Sequence, residues 1–131
     1  MEIPKIYKDS DADISIIQSR KVGIVGFGNQ GQAQALNLRD NGVNVCIGVR
    51  EGSTSRKSAE LDELNCCSIS EMLKCCDIIS LLVPDQIMGE VYQAELEPYL
   101  KKGQTLLFAH GYNIHYDVIQ PPEFINVVMA A

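Results

Sequence analysis

Lys21-Val-Gly-Ile-Val25 runs directly into Gly26-Phe-Gly28-Asn-Gln-Gly31 and then into Gln32-Ala-Gln-Ala-Leu-Asn-Leu-Arg39. A short apolar run, a G-x-G-x-x-G turn and a segment of helical character follow one another without a gap. Glycines are common, so the pattern alone is weak. Its value comes from opening a helix immediately after a strand. In that context Gly26 permits the tight turn, Gly28 lets the backbone approach a pyrophosphate, and Gly31 lets the helix pack close to the strand. The alternative is a plain glycine-rich turn that holds no ligand.

Outward from this segment, residues 21–26, 43–49, 78–83, 105–109 and 125–130 read as strands rich in Val, Ile and Leu on both faces, with a weaker strand near 66–69. Two-sided apolar strands are what a parallel sheet covered by helices requires. Residues 30–40 read as a helix stopped by Asn41-Gly42 in a left-handed cap. Ser68 and Glu71 form an S-x-x-E capping box ahead of Met72 and Leu73. Residues 87–96 carry Ile87, Val91 and Leu96 on roughly one side, with Asp85 placed to cap them. A short helix over 114–119 ends at Pro121-Pro122. Strand and helix alternate throughout, which predicts an α/β, doubly wound parallel sheet of Rossmann type. The last run, 125–131, reads as a buried strand that stops without polar residues or a following helix, so the sheet is expected to be truncated at its C-terminal end.

Composition narrows the function. A chain of 131 residues holds one domain and one core, and 46% hydrophobic with 21% charged residues is ordinary globular usage. The apolar runs are strand-sized, far below the roughly 20 residues of a membrane span. The first ten residues lack the apolar core of a secretion signal. A net charge of −6 with scattered Lys and Arg argues against a nucleic-acid partner. A dinucleotide stays compatible, because helix N-termini bind phosphate through backbone N–H groups. Cys46, Cys66, Cys67, Cys75 and Cys76 include two adjacent pairs but no C-x-x-C, and neither histidine is near them in the chain. They are read as small buried apolar residues in a reducing compartment rather than as zinc ligands or a disulfide framework.

The end of the second strand carries the next signal. An NAD site usually places an acid there, about 20 residues past the glycines, for the ribose 2′-hydroxyl. Here the chain reads Arg50-Glu-Gly-Ser53-Thr-Ser55-Arg56-Lys57. A guanidinium with two or three hydroxyls suits a dianionic 2′-phosphate, so NADP is favoured over NAD and Glu51 is expected to face solvent. Ser53 or Thr54 can also cap the next helix. Val83-Pro84-Asp85-Gln86 ends another strand at the carboxyl edge of the sheet, where ligands bind. Asp85 either touches a cofactor or simply caps a helix. Ala109-His110-Gly111 ends the following strand on the same edge. His110 there can orient a substrate or shuttle a proton, although a loop histidine is often ordinary. His115 is read as surface or packing.

Together with Asp11-Ala-Asp-Ile14, Gly48-Val-Arg-Glu-Gly-Ser-Thr-Ser55, Leu82-Val-Pro-Asp85, Glu95-Leu-Glu-Pro98 and Phe108-Ala-His-Gly-Tyr-Asn-Ile-His115, the glycine segment resembles the N-terminal NADP-binding domain of ketol-acid reductoisomerase (acetohydroxy-acid isomeroreductase). The likeness is collinear over essentially the whole chain. It implies an oxidoreductase that uses NADPH and Mg²⁺ to convert 2-acetolactate or 2-aceto-2-hydroxybutyrate to a 2,3-dihydroxy-3-methyl acid. The reaction is an alkyl migration, the isomerase step, followed by hydride transfer, in branched-chain amino-acid biosynthesis. By position, the resemblance implies cofactor contacts at Gly26, Phe27, Gly28, Asn29, Gln30 and Gly31, at Arg50, Ser53 and Ser55, and at Asp85, Gln86, Ile87 and Met88. The active-site histidine corresponds to His110. Asn29 stands where Ser is usual and Phe27 where Tyr is usual.

The resemblance also implies that residues 1–131 form an incomplete NAD(P)-binding domain. The C-terminal helical domain, which supplies the Mg²⁺ ligands and the hydroxy-keto acid site, is absent, so this chain offers no metal ligands and is expected to be inactive alone. Homo-oligomers belong to the full-length form. The expected location is the cytoplasm, or an organelle where a transit peptide has been removed. Rival readings are a stand-alone dinucleotide-sensing module, against which Arg50 argues in place of an acid, and a non-catalytic structural remnant.

Overall fold

Apolar side chains on both faces of β1 (Lys21–Val25) leave it only one stable place, the middle of a sheet with a layer on each side. The computed structural model describes residues 1–131 and puts it there. The other strands are β2 (Asn44–Val49), β3 (Asn65–Ser68), β4 (Ile78–Leu81), β5 (Thr105–Phe108) and β6 (Asn126–Met129). All pairings are parallel and the order is β3-β2-β1-β4-β5-β6, the doubly wound order of dinucleotide-binding sheets. The weak strand near residue 66 is thus a member of the sheet.

Two cores form, one on each face. Val22, Ile24, Val45 and Ile47 pack with Ala35 of α2 (Asn29–Asp40) and Ala59 of α3 (Ser55–Leu61). On the other face Val25, Ile79 and Leu81 pack with Met72 and Leu73 of α4 (Ile69–Cys75) and with Met88 and Val91 of α5 (Asp85–Val91). Met72 lies flat against the sheet because β1 and β2 carry Gly23 and Gly48 beneath it. A Cβ at those positions would meet its sulfur at 2.5 and 2.7 Å.

The ends of the helices follow local chemistry. Gly42, at φ +77°, takes the left-handed position after α2. Ser68 Oγ accepts from Glu71 N at 3.2 Å, and Glu71 Oε2 accepts from Ser68 N at 3.1 Å, the predicted capping box. Hydrogen bonding from the Ser68 backbone N–H, and secondarily from its hydroxyl, holds the Glu71 carboxyl below the usual carboxylate range. At the far end of α4, buried Gln104 donates to Leu73 O at 2.7 Å and Cys76 O at 3.0 Å, satisfying carbonyls the helix leaves open. A further short helix, α1 (Ile14–Gln18), precedes β1 and is capped by Asp13.

Five expectations need correction. The helix after β4 starts at Asp85, Pro84 occupies its cap position, and Asp85 makes no capping bond. Ile87 is 39% exposed; the buried row is Met88, Val91, Tyr92 and Leu96. Met88, Tyr92 and Leu96 follow one another at four-residue steps with Val91 beside them, so the buried stripe runs through Met88 and leaves Ile87 outside it; a π-helical turn, Tyr92–Leu96, follows α5. Next, α6 spans Tyr112–His115 rather than 114–119, since Asp117 turns left-handed at φ +56° and ends it. The last strand is not buried: no helix layer covers β6, and Val127, Val128 and Met129 are 41%, 47% and 59% exposed on a sheet edge. Finally, only Cys46 and Cys76 are buried; Cys66 and Cys67 are half-buried and Cys75 is exposed. Burial pushes the Cys46 thiol well up, and Cys76 to about 12.

Two glycines decide where α2 begins. Gly26 sits at φ +103°, and a Cβ on it would come within 2.9 Å of the Leu82 backbone. A Cβ on Gly31 would lie 2.2 Å from the Gly26 carbonyl oxygen. Gly31→Ala therefore forces helix and strand apart, and urea denaturation should register a loss of about 1–3 kcal/mol; unchanged stability would contradict this packing. An aromatic disulfide reagent should modify Cys75 in the native chain while Cys46 and Cys76 react only as it unfolds.

Candidate functional site

The strand order reverses between β1 and β4, so the loops leaving their carboxyl ends diverge and open a crevice. The cleft encloses about 680 Å³, a volume within the range of small-molecule and cofactor sites. Four loops line it. Gly26, Phe27, Gly28, Asn29 and Gln30 come after β1, and Arg50, Ser53 and Ser55 after β2. Leu82, Val83, Pro84, Asp85 and Met88 follow β4, and Ala109 and His110 follow β5.

The glycine loop prepares a place for an anion. The first helical bond of α2 joins Gln32 N to Gly28 O at 2.9 Å, which leaves the N–H groups before Gln32 without helical partners. Those donors and the positive end of the helix dipole attract negative charge. Gly28 has φ −80° and ψ −161°, an extended conformation open to any residue. A Cβ there would meet nothing within 4 Å. The fold does not need a glycine at this position; what its absence of a side chain preserves is clearance above the N–H groups.

Arg50 follows β2 directly, with its side chain about half exposed. Its Nε donates to Glu95 Oε1 at 2.7 Å. Ser53 Oγ accepts from Ser55 N at 3.2 Å, so the capping role on this loop falls to Ser53, while Thr54 makes no such bond. Glu51 is exposed to solvent. Arg50, Ser53 and Ser55 all face one end of the cleft.

At the other end His110 and Asp85 meet, with Nδ1 and Oδ2 3.6 Å apart. The same Nδ1 accepts from Tyr112 N at 3.2 Å. In the neutral ring this bond leaves the proton on Nε2; a proton on Nδ1 breaks it and faces the Asp85 carboxylate instead. The buried Asn113 side chain donates to Asp85 O at 3.4 Å, tying α6 to the start of α5.

Of the residues singled out from sequence, the cleft gathers Gly26, Phe27, Gly28, Asn29, Gln30, Arg50, Ser53, Ser55, Asp85, Met88 and His110. Gly31 lies behind the loop as a packing contact. Gln86 and Ile87 are exposed on the outer side of α5 and do not line the cleft. Sequence reasoning missed Glu95. It stands in the π-helical turn after α5, far in sequence from its partner Arg50, and no local pattern links the two.

A family model described as acetohydroxy acid isomeroreductase, NADPH-binding domain, matches residues 16–131. The chain is 44% identical over 131 residues to a ketol-acid reductoisomerase (NADP(+)) of Pyrococcus abyssi, covering 100% of this chain and 40% of that protein. It is 45% identical over 127 residues to the enzyme of that name from Methanothermobacter thermautotrophicus, covering 97% of this chain and 39% of that protein. Among solved structures, an NADH-preferring ketol-acid reductoisomerase from an uncultured archean superposes with a TM-score of 0.90 at 35% identity, over 96% of this chain and 40% of that one. The chain thus spans about 40% of the length of the relatives it matches.

Gly28→Ala separates folding from binding. Thermal unfolding should be unchanged within about 0.5 kcal/mol, while affinity for a dinucleotide falls by about tenfold or more as the methyl group blocks the N–H groups. Loss of stability equal to that of Gly31→Ala would contradict the open geometry.

Proposed function

The chain belongs to the acetohydroxy acid isomeroreductase family, as its NADPH-binding domain, and from that premise we propose that it holds NADPH for a ketol-acid reductoisomerase. One observation carries the reading: a single cleft joins a helix N-terminus, a guanidinium with two serines and a histidine along the carboxyl edge of the sheet. The free N–H groups of Asn29, Gln30 and Gly31 take the pyrophosphate, with Phe27 and Gly28 in contact. Arg50, Ser53 and Ser55 take the adenosine 2′-phosphate. Met88 and Asp85 border the nicotinamide end, and we give Gln86 and Ile87 no direct contact because both lie outside the cleft.

Bound there, NADPH supplies hydride. His110, on the same edge, is the residue we assign to orienting the substrate or holding a proton beside it, with Asp85 and Tyr112 N as alternative partners for Nδ1. The reaction of the whole enzyme is then the reductive isomerisation of 2-acetolactate or 2-aceto-2-hydroxybutyrate in branched-chain amino-acid synthesis. Magnesium fits this chain poorly. No three His, Cys, Asp or Glu side chains converge on a common point. The metal charge that polarises a substrate for alkyl migration is assigned to the portion of the relatives this chain does not cover, as are the substrate site and any oligomer contacts. No helix is long and apolar enough to cross a membrane.

The neighbouring fold of an NADH-preferring relative means that backbone shape alone does not choose between the two nucleotides. Side chains on the loop after β2 do. Parallel fluorescence titrations with NADPH and NADH should give tighter NADPH binding. Arg50→Ala should weaken NADPH by about 10- to 100-fold, the value of hydrogen bonds from a charged donor, and leave NADH nearly unchanged. Equal or tighter NADH binding by the unaltered chain would overturn the NADP reading.

A further inference from the structure

We propose that Glu95 is a positioning residue for nucleotide choice: it grips Arg50 by Nε and holds the remainder of the guanidinium ready for the 2′-phosphate. The inference rests on the reading of Arg50, Ser53 and Ser55 as the 2′-phosphate end of an NADPH site.

Three observations carry it. The ion pair uses a single donor of Arg50, Nε to Glu95 Oε1 at 2.7 Å, and the two terminal nitrogens have no protein partner. A guanidinium offers five donors in a planar fork, so most of that fork stays available to an anion. Second, Arg50, Glu51, Gly52, Ser53 and Glu95 together line an open hollow without a hydrophobic residue, adjoining the main cleft through Arg50 and Ser53. Third, Glu95 stands in the π-helical turn that follows α5. Tyr92 and Leu96, both at most 1% exposed, anchor the π-helical turn in the core, and the Glu95 side chain between them is 28% exposed. Wide turns of this kind occur often at functional sites.

The physical advantage is pre-organisation. The Arg50 side chain is 55% exposed, and a free one samples many rotamers that phosphate binding has to freeze. Glu95 fixes the chain before the ligand arrives. Its negative charge works the other way, since it lies close to the dianion, so the acceptor atom rather than the charge is the useful part. Gln in its place keeps the acceptor and drops the charge.

The test titrates the full chain and its Glu95→Ala, Glu95→Gln and Arg50→Ala variants with NADPH and NADH, with unchanged NADH affinity as the internal control for folding. Glu95→Ala is expected to bind NADPH about fivefold more weakly, the scale of one exposed ion pair, with NADH unaltered. Glu95→Gln should restore or exceed the original NADPH affinity. If both Glu95 variants tighten NADPH, the carboxylate is only a competitor for the phosphate and the proposal falls. No change in either, with NADPH lost in Arg50→Ala, leaves the site reading intact and removes Glu95 from it. Undiminished NADPH binding by Arg50→Ala would instead defeat the site reading itself.

Discussion

Everything that matters for binding in this chain depends on one contact, the Gly31 Cα against the carbonyl of Gly26. With no side chain at Gly31, α2 begins almost touching the end of β1; a Cβ would stand 2.2 Å from that oxygen. Gly26 can sit so close to the Leu82 backbone only because φ of +103° is open to it. Strand, helix and the neighbouring strand β4 are thereby locked together at the point where the sheet order reverses. The helix N-terminus has no other direction to face than the crevice. The other face is arranged by the same device, with Gly23 and Gly48 leaving a shallow bed for Met72 so that α4 packs close to β1 and β2. Close approach on both faces makes a thin, stiff platform on which four loops meet.

The sheet was legible because its signals are local and redundant. Strands apolar on both faces admit only a covered parallel sheet, and Ser68 with Glu71 announces a helix start through two bonds between near neighbours in sequence. Arg50 could likewise be placed at the carboxyl edge by counting from the glycines. What failed depended on contacts distant in sequence. Asp85 looks like a helix cap until His110, 25 positions on, is found 3.6 Å away. Ile87 and Val91 share a face at four-residue spacing, yet the core takes Met88, Tyr92 and Leu96 along with Val91, and which stripe is buried is set by the elements packed on it. Val127, Val128 and Met129 carry the pattern of a covered strand, and whether a strand is covered is a property of its neighbours.

Along the cleft, chemical character changes in step with the elements that supply it. The β1 loop offers backbone donors, the β2 loop a cation and hydroxyls, and the loops after β4 and β5 a carboxylate beside an imidazole. Backbone N–H groups at a helix end are rigid and cannot titrate, which suits a group that stays anionic at every relevant pH. The imidazole lies at the opposite end, where a proton can move. Asn113 stiffens that end by bonding the backbone of Asp85, so the carboxylate facing His110 is carried by a held helix start rather than a loose loop.

A chain of net charge −6 that attracts a polyanion has to solve an electrostatic problem locally. At physiological salt, charges more than about 8 Å apart are largely screened, so the overall acidity matters less than what surrounds the ligand at contact distance. Three acids lie near the cleft, and each is handled differently. Glu51 is turned into solvent. Asp85 stands at the histidine end, away from the guanidinium that marks the other. Glu95 is bound to Arg50 through Nε alone, which offsets the charges of both and leaves the terminal guanidinium nitrogens free to donate. What remains for an anion is a set of donors, the free guanidinium nitrogens and backbone N–H groups whose dipoles add nothing to the formal charge. That is why an acidic composition and an anion site coexist here.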